Sequence, residues 1–194
     1  MNEAKYFILI GPAGVGKGTM VSMLLERHPE FVPTLSATTR PPRPGEKSGT
    51  VHVFVSEEEF DTYITEGKLL EHQLIHKKYR YGILRGPVME ALQAGKSVLG
   101  EAEVQGWETM KANPEIAPYM RVIFMMPPSI EAIAERVRKR APTTEEEVQR
   151  RMETARWELT FADGADFQVL AEENEQEKIY AAIEAYILSE TAGK

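Results

Sequence analysis

Cysteine is absent from all 194 residues, which excludes disulfides, thiol catalysis and cysteine-ligated zinc. Long apolar runs are missing as well. The N-terminal region offers only the five-residue stretch YFILI, far below the ~20 apolar residues of a membrane span, and no basic segment precedes it as in a secretory signal. Positive charge is in deficit: 23 Lys and Arg against 30 Asp and Glu leave a net charge of -7. Such a balance argues against non-specific nucleic-acid binding, which needs a basic surface, while leaving room for a local basic pocket. The expectation is a cytoplasmic monomer or homodimer that binds neither nucleic acid nor membrane.

What is present looks like one globular domain. The apolar fraction of 42% and charged fraction of 27% are ordinary, and the length suits one core with small insertions. Tyr6 to Ile10 is short, apolar and β-rich, so it predicts a buried strand. A glycine-rich turn follows, and then apolar residues recur at helical spacing through Met20, Met23 and Leu24 until Pro29. Leu35 to Gly49 contains Pro41, Pro42 and Pro44 with Gly45 and Gly49, a composition that predicts no regular structure. TVHVFV alternates as a strand does. Ser56 with Glu59 three residues on predicts a capping box at a helix start. KLLEHQLI and YRYGIL predict a hairpin.

Beyond it, GPVMEALQAGK reads as a helix, SVLGEAE and RVIFMM as strands, and Ser129 and Thr144 as caps of two further helices. FQVLA and EKIYAAIEAYIL predict a last strand and a closing helix. Strands alternating with helices predict an α/β fold with a mostly parallel sheet flanked by helices.

GPAGVGKGT spans Gly11 to Thr19 and has the G-x-x-x-x-G-K spacing of a phosphate loop between a strand and a helix. Gly11, Gly14 and Gly16 let the backbone curl so that its N–H groups face inward, with Ala13 and Val15 completing the cradle. The helix N-terminus adds positive potential, and Lys17 can reach the β and γ oxygens of a triphosphate. The plainer alternative is a glycine-rich turn without a ligand. Gly18 stands where the strict motif carries a Ser or Thr hydroxyl for the metal, and Thr19 offers one a residue later. GKGT resembles the loop of adenylate kinases, which implies ATP as cofactor with Mg²⁺ held largely by its phosphates and water.

SATTRPPRPGE places Arg40 and Arg43 in a proline-braced loop, an arrangement suited to a bidentate grip on a second phosphate. This stretch, together with GPAGVGKGT, FVSEEEF, YRYG, EAEVQG, MMPPSIEAIAERVRKR and EEEVQRRM, resembles the guanylate kinase family in order and over nearly the whole chain. The resemblance implies a phosphate-loop core at 1–34, 86–127 and 158–194, an acceptor-binding α+β subdomain at 35–85 and a lid region at 128–157.

It further implies that Arg40, Arg43 and Tyr81 grip the acceptor phosphate, with Glu46 in the same loop. Glu71 and Glu103 would read guanine, Glu101 and Ser36 would lie close by, and Arg136, Arg140 and Arg151 would close over the transferring phosphates. The implied reaction is ATP plus GMP giving ADP plus GDP. The residue types agree, because phosphoryl transfer needs in-line positioning and positive charge rather than covalent help.

Several positions depart from the family pattern. His52 replaces a phosphate-binding Tyr, Ile83 replaces a Ser or Thr that donates to guanine O6, Glu103 replaces an Asp, and Ala171 replaces an Asn near the adenine. They motivate a competing reading, a kinase of the same architecture with a shifted acceptor. A third, a non-catalytic binding module, fits poorly with the complete set of Lys17 and arginines. His72 and His76 lack an evident third ligand and read as strand residues, and Met125 and Met126 as core.

Overall fold

The computed structural model describes residues 3–43, 45–75, 78–140 and 143–192. His76 and the side chain of Arg140 lie outside the described residues. From the N-terminus, β1 (Tyr6–Ile10) leads into α1 (Lys17–Arg27), followed by the short strands β2 (Val32–Pro33), β3 (Ser36–Thr38) and β4 (His52–Phe54). Helix α2 (Glu57–Thr65), the pair β5 (Leu69–Ile75) and β6 (Tyr79–Leu84), and α3 (Arg85–Gln93) come next. Then follow β7 (Val98–Glu101), α4 (Val104–Lys111), β8 (Met120–Met126), α5 (Ile130–Arg140), α6 (Glu145–Leu159), β9 (Phe167–Leu170) and α7 (Gln176–Thr191).

Two sheets result. The first has the order β2-β7-β1-β8-β9 with every pairing parallel. Its central strand β1 is fully buried, as the continuous apolar run requires. Alternate residues of β1 serve two cores. Phe7 and Leu9 pack with apolar residues of α1, α5, α6 and α7, while Tyr6, Ile8 and Ile10 pack with those of α3 and α4. A parallel sheet covered by helices on both faces is the α/β arrangement the sequence predicts.

The second sheet has the order β4-β3-β6-β5 and is mixed, with β3–β4 parallel and the β3–β6 and β5–β6 pairs antiparallel. It is drawn wholly from residues 36–84. The Ser56 capping box is formed, Ser56 accepting from the Glu59 N–H while Glu59 accepts from the Ser56 N–H. Ser129 and Thr144 also accept the expected first-turn N–H bonds.

One local expectation needs correction, and one element had none. Ser36–Thr38 is a strand, not irregular chain, because β4 and β6 supply ladder partners on both sides. Residues 104–111 form α4, which carries no periodic signal strong enough to stand out. Among the described residues no helix is long and apolar enough to cross a membrane.

Candidate active site

The site begins where β1 stops. Gly11, Gly14 and Gly16 adopt φ of +135°, +88° and +114°, values that side chains with a Cβ rarely adopt. At Gly11 a Cβ would stand 2.5 Å from the carbonyl oxygen of Met125, so only glycine lets the loop pass β8. Helix α1 then starts with no side-chain cap and no acidic residue in its first turn. Its leading N–H groups and its dipole are thereby left for an anion.

Lys17 is buried, and its Nζ donates to the Gly11 carbonyl at 2.7 Å. It also lies 3.8 Å from a Glu103 carboxylate oxygen. The lysine is thus folded back over the loop, a charge held ready where phosphate oxygens would come. A Cβ on Gly18 would sit 3.4 Å from Glu101 Oε1. The position that lacks a hydroxyl is therefore flanked by a carboxylate, with Thr19 beside it.

A cavity of about 490 Å³ opens over this loop, walled by Lys17, Thr19, Glu101, Glu103, Arg136 and Arg151. Arg136 donates to the backbone carbonyls of Val15 and Ala171, both at 2.9 Å, and so ties α5 to the loop. Arg151 pairs with Glu147 one turn earlier at 2.8 Å, and Arg150 pairs with the same carboxylate. A second cavity of about 310 Å³ shares Ala13, Glu103 and Arg151 with the first and reaches Leu74 and Ile75 on β5. The space over the phosphate loop and the space beside the second sheet therefore adjoin.

Two residues beyond β3, beside the second sheet, Arg40 is buried and held from several sides. It donates through Nε to the Tyr81 hydroxyl at 2.7 Å and through both Nη atoms to the two Glu46 oxygens at 2.9 and 3.0 Å. Glu46 also accepts from the Arg43 backbone N–H at 2.6 Å. Arg40 and that N–H hold the Glu46 carboxyl well below the usual carboxylate range. The Arg43 side chain is exposed. Glu46 is accordingly the strut that shapes the arginine loop.

Glu71 lies on β5 and is buried against α4. A Cβ on Gly106 would stand 2.6 Å from Glu71 Oε2, so the glycine makes room for the carboxylate. Burial pushes the Glu71 carboxyl up to about 7, opposed by a hydrogen bond from the Ile83 backbone N–H and helped by the charge of Glu103. Ile83 is buried in the core shared with Leu70 and Val88. Ser36 Oγ lies 2.7 Å from His52 Nδ1, so the imidazole is turned towards Ser36.

Two participants escaped the sequence reading. Gly106 closes the EAEVQG stretch that carries part of the family resemblance, but that reading gave it no role of its own. Glu158 sits near the end of α6, only 3% exposed, with Oε2 lacking any partner. The Ala13 backbone N–H bonds its carboxyl, while burial first and Glu103 second push it up to about 7. Only the fold brings it under the phosphate loop. His72 is exposed, and no group of three metal-ligating side chains occurs among the described residues.

Comparisons with known proteins agree with this architecture. The family model described as guanylate kinase matches residues 3–190. A guanylate kinase of Synechocystis sp. is 42% identical over 174 residues, covering 90% of this chain and 89% of the relative. One from Leifsonia xyli is also 42% identical, over 84% of this chain, and the match spans 63% of that relative's length, under two thirds. Among solved structures, guanylate kinase from Anaplasma phagocytophilum shares the fold with a TM-score of 0.77 at 24% identity, over 100% of this chain and 89% of that one. With its phosphate loop, its arginine-bearing second sheet and a family match along nearly its whole length, the chain belongs to the guanylate kinase family.

Proposed function

We propose that this protein transfers the γ-phosphoryl group of ATP to GMP, giving ADP and GDP. The observation that carries the reading is that the cavity over the glycine-rich loop, with its buried lysine, adjoins a cavity that reaches β5 of the second sheet. The buried arginine held by Glu46 lies next to β3 of that same sheet.

In this reading the donor half comprises Gly11, Ala13, Gly14, Val15, Gly16, Lys17, Gly18 and Thr19. ATP phosphates replace the Gly11 carbonyl as the partner of Lys17. The acceptor half comprises Arg40, Arg43 and Tyr81 on the phosphate, with Glu46 fixing Arg40 and with His52, Ser36, Ile83, Glu71 and Glu103 around the base. Guanine presents N1–H and the 2-amino group side by side, and one carboxylate can accept both. The hydrogen bond that Ile83 already gives Glu71 favours its charged form, and donors on guanine would favour it further.

A phosphate oxygen of GMP attacks the γ-phosphorus as the bond to the β,γ-bridging oxygen breaks, and ADP leaves with that electron pair. Lys17, Arg136, Arg140 and Arg151 supply the positive charge around the equatorial oxygens. Residues 128–157 act as the lid that carries these arginines, 35–85 as the acceptor subdomain, and the remainder as core.

The donor set fits Mg²⁺. The Thr19 hydroxyl and the Glu101 carboxylate beside Gly18 are hard oxygens of the kind it takes, and these two residues would hold it. Bound there, it would supply positive charge against the phosphate oxygens. A cytoplasmic setting and small-molecule partners, ATP and GMP, complete the reading.

The test is ADP release with Mg·ATP and a panel of monophosphates, with Lys17→Ala as control. Turnover with GMP well above AMP, lost by at least about a hundredfold in the variant, is the expected result. Turnover with another monophosphate but not GMP would overturn the assignment of acceptor.

A further inference from the structure

Ser36 stands inside a row that crosses the entire second sheet. It is in register with His52 on β4 and with Ile83 on β6, and Ile83 is in register with Glu71 on β5. Cross-strand partners present their side chains on one face, so His52, Ser36, Ile83 and Glu71 form a single line.

The chemistry along that line is uneven. Glu71 accepts and does not donate when charged. The side chain of Ile83 has no donor, and its backbone N–H is directed to Glu71. Only the Ser36 hydroxyl and the His52 ring remain as donors in the row. Their Oγ and Nδ1 atoms lie 2.7 Å apart.

A serine hydroxyl carries one proton and a neutral imidazole one N–H and one lone pair. Burial first, then the charges of Arg40 and Arg43, hold the His52 ring below the ordinary imidazole range, with Glu46 pulling the other way. The ring is therefore neutral at pH 7, and its tautomer decides what Ser36 can do. A bare Nδ1 would consume the Ser36 proton. A protonated Nδ1 would leave the Ser36 O–H free to point at the acceptor base. The 6-oxo group of an oxopurine offers only lone pairs and needs that donor.

We propose that His52 is a specificity-determining positioning residue that acts through Ser36: its Nδ1–H donates to Ser36 Oγ and turns the Ser36 O–H towards the 6-oxo group of an oxopurine monophosphate. This rests on the acceptor reading given above. It takes His52 out of a purely phosphate-gripping role and makes the Ser36–His52 pair the donor that Ile83 does not provide. Phosphate gripping would affect every monophosphate alike. Positioning of Ser36 affects only those with an oxygen at purine position 6.

The experiment compares kcat/KM for GMP, IMP and 2-aminopurine riboside 5′-monophosphate, which lacks the 6-oxo group. It uses the intact protein, His52→Leu, His52→Asn, Ser36→Ala and the Ser36→Ala/His52→Leu pair. The expected result is a fall of about tenfold in the preference for GMP and IMP over the 2-aminopurine acceptor in His52→Leu, the scale of one lost hydrogen bond. Ser36→Ala should match it, and the double variant should lose no further preference. His52→Asn, whose amide N–H can take the place of Nδ1–H, should recover most of the preference. An equal fall for all three acceptors, or His52→Asn behaving as His52→Leu, would overturn the proposal while leaving the GMP assignment in place. No turnover of GMP by the intact protein would overturn both.

Discussion

Glu158 shows what a single buried residue implies for the folded state. Burial pushes its carboxyl, like that of Glu71, up to about 7 from the ordinary 4.5. The native state therefore binds more protons than the unfolded chain between about pH 4.5 and 7, and stability from these groups falls as pH rises through that window. Glu158→Gln removes one of the two contributions. Denaturant unfolding at several pH values should show a decline that is shallower in the variant by up to one proton, ~1.4 kcal/mol per pH unit. Parallel curves for the two proteins would contradict the burial argument.

Arg43 offers a second residue-scale test. Its side chain is exposed and unneeded for the loop's own bonding. Arg43→Ala should raise the acceptor KM roughly tenfold or more with little effect on melting temperature, the size of a lost charge-assisted contact. An unchanged KM would remove Arg43 from the acceptor set. Lys17, Arg40 and Arg43 are candidates that the sequence itself offers, because phosphate binding demands recognisable residue types at fixed local spacing. Glu158 is not one, because its neighbour Ala13 is local only in space.

Among the elements, the helices with explicit start signals were legible. Ser56, Ser129 and Thr144 each announce a first turn and each accepts the bond that caps it. The three-residue strand β3 was not legible. Its sequence runs into prolines, and its strand character comes from ladders with β4 and β6, which no local pattern encodes. Helix α4 was hidden for a related reason. It has eight residues, a Glu103 N-cap without a side-chain cap bond, and a glycine inside it.

That glycine has a purpose at the scale of the element, since α4 can lie against β5 only if Glu71 fits over Gly106. Gly106→Ala should displace the Glu71 carboxylate, raising the acceptor KM by about tenfold or more and leaving the ATP KM within about twofold. Alanine improves intrinsic helix propensity by ~1 kcal/mol, so a loss of acceptor binding with an unchanged or higher melting temperature is the diagnostic pattern. A variant with normal acceptor KM would show that Glu71 does not need this seat.

At the scale of the molecule, the proposed function assigns one sheet to each substrate, with α4 and α6 lying between them. The parallel sheet leads into the glycine-rich loop, the mixed sheet carries the row His52, Ser36, Ile83 and Glu71 with Arg40 just beyond β3, and Glu103 and Arg151 line both adjoining cavities. The alternation of strands and helices made the first sheet predictable, and the second followed from the hairpin β5–β6. Their meeting point had to be seen, because it depends on how α4, β5 and α6 pack. The central claim is that a phosphoryl group crosses this junction from ATP to GMP. Its most direct test is chromatographic measurement of products after incubation with Mg·ATP and GMP. The account predicts GDP and ADP in equal amounts, both abolished by Lys17→Ala. ADP formed without GDP, or GDP formation that survives Lys17→Ala, would contradict it.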